Sequence, residues 1–288
     1  MIGKAFCHGA ATIVNGIALG KGAAYGIALE TTAEVELTDE PDIFNVKIVG
    51  DENEKPLLSE HCVKNVLKKF DLLSQHGAKI TTRSDIPISR GLKSSSASAN
   101  AIVLAVYRAL DRDYTDLDII NLGIDAAFSS KVTLTGAFDD ACAAYFGNVV
   151  VTDNNKRKIL AQYPIEEDYE VIIHVPQEKI RKNEVDISKL KGIEFPLKVA
   201  HDLALNKNYQ SGILINGLAY SNAMELDNSI ALLALDAGAV TAGISGTGPA
   251  TVILSLPDDK DNIISAIESD GDVICTKINR EKAGILND

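Results

Sequence analysis

Alternating apolar and polar residues dominate the first fifty positions of the chain, and this pattern predicts β-strands. The clearest example is the segment TTAEVELT, in which Ala33, Val35 and Leu37 alternate with polar residues. Glycines separate the other strand-like segments. The predicted strands are 4–8, 12–18, 23–29 and 31–38. The N-terminal part of the chain is therefore expected to form a β-sheet.

Helical spacing of apolar residues replaces this alternation in the segment LLSEHCVKNVLKKFDLLSQ. One helical face would carry Leu58, Cys62, Val63, Val66, Leu67, Phe70 and Leu73. The segment AKITTRS then predicts a strand, and a second helix is expected from the serines at 94–96 to Leu110. A third helix should begin at an N-cap at Thr115 or Asp116.

The polar segment TDNNKRK, residues 152–158, predicts a linker-like turn between two units. After it the pattern predicts a strand at 169–175, helices within 195–236, strands at 239–245 and 250–256, a helix at 258–269 and a strand at 272–278. This β-α-β-β-α-β order is that of the ferredoxin-like arrangement. We therefore expect two domains, residues 1–160 and 161–288.

Composition and charge exclude several classes of protein. The 288 residues carry a formal net charge of −12, which argues against a nucleic-acid binder because that function needs clustered lysine and arginine. No run of about 18 uninterrupted apolar residues predicts a membrane span. The four cysteines lie far apart without metal-ligand spacing, which favours buried thiols in a reducing compartment. We expect a cytoplasmic protein without a nucleic-acid or membrane partner.

The segment PISRGLKSSSASA places three consecutive serines, Ser94, Ser95 and Ser96, at the start of a predicted helix. A helix N-terminus presents unpaired backbone N–H groups to an anion, and a Gly/Ser loop lets a phosphate approach them. The alternative is that Ser94 caps the helix and the other serines are merely small. A phosphate loop and an ordinary N-cap both remain open from this segment alone.

Two further segments carry possible chemistry. GISGTGPA, residues 243–250, could wrap backbone N–H groups around an anion, or it could be a tight hairpin turn. In TGAFDDA, the adjacent carboxylates Asp139 and Asp140 could supply a base near a substrate hydroxyl, or they could stabilise the first turn of a helix. A phosphate loop, an aspartate and a late glycine-rich loop together are what phosphoryl transfer requires.

These segments resemble the three motifs of the GHMP small-molecule kinases, in the same order. IGKAFCHGAATIVNG resembles the first motif, with Ile2 in place of its proline and Lys4 at its lysine. PISRGLKSSSASA resembles the second motif, PxxxGLGSSAA, with Lys93 in place of its second glycine and Ser96 in place of its first alanine. GISGTGPA resembles the third. Within the family, SRGLKSSSA, TGAFDDA and SGTGPA are most similar to the archaeal-type shikimate kinases.

The resemblance implies a mixed α/β (α+β) fold of two domains. The N-terminal domain would contain a left-handed βαβ unit, the C-terminal domain would be ferredoxin-like, and ATP and substrate would lie between them. The ATP phosphates would be bound by Pro87, Ser89, Arg90, Gly91, Leu92, Lys93, Ser94, Ser95, Ser96, Ala97, Gly246, Thr247 and Gly248. Ser95 would also help to hold Mg²⁺.

The resemblance also implies catalytic roles. Asp140 would accept the proton of the substrate hydroxyl, with Asp139 as the alternative. Lys4 would neutralise developing charge or lower the pKa of the base, unless it is an exposed lysine at a strand end. The family's glutamate ligand for Mg²⁺ corresponds here to Ser129.

Shikimate is the acceptor that the resemblance implies. Homoserine, or another acceptor of the family, and a catalytically idle nucleotide-binding member are the alternatives. The shikimate carboxylate would need a cation, and the candidates are Arg90, Lys131, Arg181 and Arg280. The protein is expected to be a monomer or a homodimer.

Overall fold

A computed structural model describes residues 1–51, 55–133, 135–177, 187–268 and 271–287. The strands are β1 (Ile2–Val14), β2 (Lys21–Thr38), β3 (Phe44–Val49), β4 (Gly77–Ser84), β5 (Val149–Asp153), β6 (Lys158–Tyr163), β7 (Glu170–Val175), β8 (Thr241–Ile244), β9 (Thr251–Ser255), β10 (Asp272–Lys277) and β11 (Gly284–Ile285). The α-helices are α1 (Leu57–Lys69), α2 (Ser94–Ala109), α3 (Asp116–Ser129), α4 (Phe138–Phe146), α5 (Glu194–Leu205), α6 (Tyr209–Met224), α7 (Ser229–Asp236) and α8 (Lys260–Ala266). A 3₁₀ helix, Ile187–Ile193, precedes α5.

The first sheet runs in the order β11-β1-β2-β4-β3, and β5 and β6 extend it from the other end of β2. Strands β3 and β4 are parallel and joined by α1, so they form a βαβ unit within a largely antiparallel sheet. Thr115 caps α3 through a capping box with Asp118, which confirms the predicted start of that helix.

Two long strands replace the four short ones predicted at the N-terminus. Gly3 and Gly26 lie inside β1 and β2 rather than in turns. A Cβ on Gly3 would lie 2.0 Å from the carbonyl oxygen of Ala105 in α2, and one on Gly26 would lie 2.7 Å from the Cα of Gly147. These glycines allow close approach of neighbouring backbones. Gly3 lies outside the predicted strand 4–8, whereas Gly26 lies within the predicted strand 23–29.

The second sheet has the order β10-β7-β9-β8, with all neighbours antiparallel. Its first strand along the chain, β7, therefore lies between the fourth and the third, as in a ferredoxin-like sheet. The predicted mixed fold with a ferredoxin-like C-terminal part is confirmed. The polar segment 152–158 is the turn of the β5–β6 hairpin rather than a linker. One buried core contains residues of both sheets, among them Ile13 and Val171. The division at residue 160 stays a prediction.

Three cysteines, Cys7, Cys62 and Cys142, are free and buried as predicted, but Cys275 is exposed on β10, so the prediction was wrong there. Within the described ranges, every helix is too short or too polar to cross a membrane.

Candidate active site

A cavity of about 490 Å³ lies between the start of α2, the start of α4, the end of β1 and the turn between β8 and β9. Its wall includes residues from all three glycine-rich segments, such as Asn15, Ser95 and Thr247, together with Asp139 and Asp140. The structure therefore brings the separate sequence motifs into one site.

The serine run lies at this cavity, but Ser94 does not cap the helix. Lys93 is the N-cap residue of α2, in left-handed conformation with φ of 66°, and no side chain caps the helix. Ser94, Ser95 and Ser98 line the cavity, whereas Ser96 does not. Residues spaced by one helical turn share a face, so Ser98 takes the place that we predicted for Ser96.

The loop before α2 divides into residues that reach the cavity and residues that support it. Ser89 and Gly91 line the cavity. A Cβ on Gly91 would lie 2.0 Å from the carbonyl oxygen of Ser245, so only glycine fits between the loop and the β8–β9 turn. The other predicted phosphate-binding residues of this loop, Pro87, Arg90, Leu92 and Ala97, do not line the cavity.

Burial and packing explain why these supporting residues do not line the cavity. Leu92 and Ala97 are fully buried in the core. Arg90 is also buried, and its guanidinium donates to the carbonyl oxygen of Gln177 at 2.9 Å. Their contact with phosphate stays a prediction, and in the structure these residues support the loop.

The turn of the third motif reaches the cavity through Gly246 and Thr247, while Gly248 does not line it. The Gly246 N–H donates to the hydroxyl oxygen of Thr12 at 2.7 Å, and the Asn15 side-chain amide donates to the Gly246 carbonyl at 2.8 Å. The carbonyl and the amide of Gly246 are thus both held by side chains at the end of β1 or directly after it.

Asp140 forms a buried ion pair with Lys93. The Nζ atom of Lys93 lies 2.9 Å from Oδ1 of Asp140, and the two side chains are only 3% and 8% exposed. Lys93 also donates to the Thr12 hydroxyl at 2.6 Å. A Cβ on Gly246 would lie 2.8 Å from this ammonium, so the missing side chain leaves room for it. The pair thus places a carboxylate and an ammonium in direct contact at the cavity wall.

Asp139 faces a different environment. Its Oδ1 accepts from the Asn154 side-chain amide at 2.8 Å, and its own N–H donates to Asn154 Oδ1 at 3.1 Å. Burial, followed by the negative charge of Asp140, raises the pKa of Asp139 to about 6. A Cβ on Gly22 would lie 2.1 Å from Oδ2 of Asp139, which explains the glycine in β2. The two adjacent aspartates thus differ in their partners, Asn154 for Asp139 and Lys93 for Asp140.

Lys4 does not reach the site, and its predicted catalytic role was wrong. It lies eight positions before Thr12 on β1, about 25 Å away along the strand. Its side chain is 38% exposed and pairs with Glu34 at 3.7 Å. The alternative interpretation, a lysine at a strand end, is the one that the structure supports. The cation beside Asp140 is Lys93, and its replacement of a motif glycine was the available signal.

Among the polar residues of the site that sequence reasoning missed are Thr12, Asn15 and Asn154. Thr12 and Asn15 interrupt the apolar run ATIVNG and are buried. Buried polar side chains in an apolar strand need partners, so this interruption could have pointed to them. Asn154 lies in the segment interpreted as a linker, which concealed it.

The structure distinguishes among the four candidate cations for an acceptor carboxylate. Lys131 lines the cavity. Arg280 donates to the carbonyl oxygens of Ile165 and Glu167 and does not line it. Arg90 is excluded as described above, and Arg181 lies outside the described residues. Lys55, which sequence reasoning did not consider, also lines the cavity.

Oxygen donors at the wall suit Mg²⁺ carried by a nucleotide. In the part of the chain that the structure describes, no group of three or more His, Cys, Asp or Glu side chains could hold a metal alone. Mg²⁺ needs few protein ligands when phosphates supply the others, and the Ser95 hydroxyl and the aspartates share one wall. Ser129, at the position of the family's glutamate, donates to the Asp125 carbonyl and lies away from the wall.

Comparisons with known proteins agree with this site. Galactokinase from Lactococcus lactis superposes with a TM-score of 0.78 at 14% identity, covering 99% of this chain and 95% of that one. Homoserine kinase from Cytophaga hutchinsonii gives 0.77 at 17% identity, covering 99% and 97%. The family model of the GHMP kinases N terminal domain matches residues 58–148. The relatives described next are similar over nearly the full chain, and this chain belongs to the GHMP kinase family.

Relatives named shikimate kinase share much more sequence than the solved structures do. The protein of that name from Methanothrix thermoacetophila is 40% identical over 94% of this chain and 91% of its own length. The one from Pyrococcus abyssi is 38% identical over 96% of this chain and its entire length.

Proposed function

We propose that this protein phosphorylates a hydroxyl of shikimate with ATP and forms shikimate 3-phosphate and ADP. The observation that carries the proposal is the buried Lys93–Asp140 pair in the same cavity as the serines of α2. The relatives named shikimate kinase support the acceptor.

Asp140 is the proposed general base. The acceptor oxygen attacks the γ-phosphorus of ATP, its proton passes to Asp140, and the bond between the γ-phosphorus and the bridging oxygen breaks to release ADP. Lys93 holds this carboxylate in place through the ion pair. Asp139 remains the alternative base: its raised pKa of about 6 suits a proton acceptor, but its Oδ1 already accepts a hydrogen bond from Asn154.

The N-terminus of α2 and the β8–β9 turn are proposed to bind the phosphates. Ser94, Ser95 and Ser98 supply hydroxyls beside the uncapped N–H groups of the helix, and Gly246 and Thr247 lie opposite. Mg²⁺, when bound with ATP, neutralises phosphate charge, and Ser95 is its proposed protein ligand. Lys131 is the proposed partner of the acceptor carboxylate.

Three further expectations remain part of the proposal. The chain would consist of domains 1–160 and 161–288, would act in the cytoplasm, and would be a monomer or a homodimer.

The test is ADP release from Mg-ATP with shikimate, homoserine, mevalonate and galactose offered separately, each against Ser95→Ala. Turnover with shikimate alone, strongly reduced in the variant, is expected. Turnover with another acceptor would overturn the substrate but keep the kinase chemistry. ATP binding without transfer to any acceptor would favour an idle member.

A further inference from the structure

The hydroxyl of Thr12 is the point at which the three glycine-rich segments meet. Thr12 belongs to the first segment and ends in the cavity wall. Its oxygen accepts from Lys93 Nζ of the second segment at 2.6 Å and from the Gly246 N–H of the third at 2.7 Å. A single oxygen atom thus links the phosphate loop to the β8–β9 turn that packs against it.

This bonding pattern differs from that of an ordinary buried threonine in a strand. Thr241, in β8, is equally buried, and its hydroxyl donates to the carbonyl oxygen of Gln210. The Thr12 oxygen instead accepts two hydrogen bonds, which occupy both of its lone pairs. Its neighbours Ala11 and Ile13 are fully buried and apolar, so no other side chain of this stretch could take that role.

We propose that Thr12 is a positioning residue for the phosphoryl transfer, an inference that rests on the proposed function. Lys93 has two partners, Thr12 and Asp140, and the first fixes the direction from which its ammonium meets the second. The same oxygen fixes the amide of Gly246, beside Thr247 on the cavity wall. Thr12 therefore positions the proposed base, through Lys93, relative to the phosphate-binding turn.

The matched variants are Thr12→Val, which keeps the shape and removes the acceptor, and Thr12→Ser, which keeps the acceptor. Thr12→Val should lower kcat by about 10- to 100-fold, because small displacements of reacting groups are costly, with less than a threefold change in the KM for ATP. Thr12→Ser should stay within about threefold of the wild type. Thr241→Val is the control: it removes a buried hydrogen bond remote from the cavity and should leave kcat unchanged.

Amide hydrogen exchange gives a second measurement that does not depend on turnover. The peptide containing Gly246 should exchange faster in Thr12→Val, where its N–H has lost its acceptor, but not in Thr12→Ser or Thr241→Val. A Thr12→Val protein with wild-type kcat and unchanged exchange would overturn the inference. A Thr12→Ser protein that loses as much activity as Thr12→Val would also overturn it. If Thr12→Val does not fold, a loss of kcat in Thr12→Ser would overturn it in the same way.

These measurements separate the two proposals. If the wild type transfers no phosphoryl group to shikimate, the proposed function fails, and exchange at Gly246 in the Thr12 variants then decides whether the three segments are coupled. If the wild type is active and the Thr12 variants match it in both measurements, only the positioning role fails.

Discussion

Lys93 holds the Asp140 carboxylate from a backbone position that ordinarily favours glycine. Its φ of 66° lies in the left-handed region, and its ammonium lies 2.9 Å from Asp140 Oδ1. A side chain at such a position costs about 1–2 kcal/mol relative to glycine. The protein thus keeps a strained lysine where the family motif has no side chain.

Replacing Lys93 by Ala or Gly should separate this strain from the function. Both changes remove the ammonium beside Asp140, so both should reduce kcat by about 100-fold or more. Lys93→Gly should nevertheless be more stable than Lys93→Ala, by up to about 1 kcal/mol, because glycine adopts positive φ freely. Steady-state kinetics and urea unfolding of the two proteins provide the measurements. Equal kinetics of Lys93→Ala and the wild type would contradict the assigned role.

The two aspartates should respond differently to replacement by Asn. Asp140→Asn removes the proposed base and should lower kcat by about 1,000-fold. Asp139→Asn keeps an oxygen that can accept from Asn154, so its effect should be smaller than about tenfold. Single-turnover transfer to shikimate measures both. The reverse order of effects would make Asp139 the base.

The pH dependence of stability should carry a signature of Asp139. Burial raises the pKa of this carboxyl to about 6, above that of the unfolded chain, so the folded state binds the proton more tightly. The resulting stabilisation is present below about pH 4 and is lost as the pH rises through about 6. Urea unfolding at several pH values should show the wild type losing stability relative to Asp139→Asn over this interval. A constant difference would contradict the assigned environment.

Ser95 and Ser96 provide a matched pair of positions for testing the serine run. Ser95 lines the cavity and Ser96 does not. Removing a hydroxyl that binds a charged group costs about 1.5–3 kcal/mol, so Ser95→Ala should lower kcat/KM for ATP by about 10- to 100-fold. Ser96→Ala should remain close to the wild type. Similar losses in both variants would indicate a general effect on the helix rather than ligand binding.

Lys131 can be tested as the partner of the acceptor carboxylate. Lys131→Met should raise the KM for shikimate by about tenfold or more and leave the KM for ATP unchanged, because only the acceptor contact is lost. Lys55→Met is the matched control on the same cavity wall. If Lys55→Met alone raises the KM for shikimate, the two lysines exchange roles.

Sequence patterns predicted the parts of this protein that depend on local order. The helices at 57–69 and 116–129 and the strand order after residue 170 follow from hydrophobic period and capping residues. The site segments were identified because glycine and serine clusters can bring backbone N–H groups close to an anion, although each segment alone left an ordinary cap or turn open. The resemblance to the GHMP kinase motifs indicated that the segments form one kinase site.

What the sequence could not supply were contacts between distant segments. Lys4 and Lys93 both lie in glycine-containing motif segments, and only the three-dimensional structure separates the remote lysine from the one beside Asp140. Asn154 reaches Asp139 because the β5–β6 hairpin folds back against α4, which no local pattern records. Residues only a few sequence positions apart on a long β-strand lie far apart in space.

The pairing of β11 with β1 bears on the order in which the chain can fold during synthesis. Ala5 and Phe6 of β1 pair with Ile285 and Gly284, and the Leu286 N–H donates to the Lys4 carbonyl. This C-terminal segment completes the edge of the first sheet. A nascent chain on the ribosome therefore carries β1 with one open edge until residue 286 has emerged, and over that time chaperones or neighbouring chains can reach it.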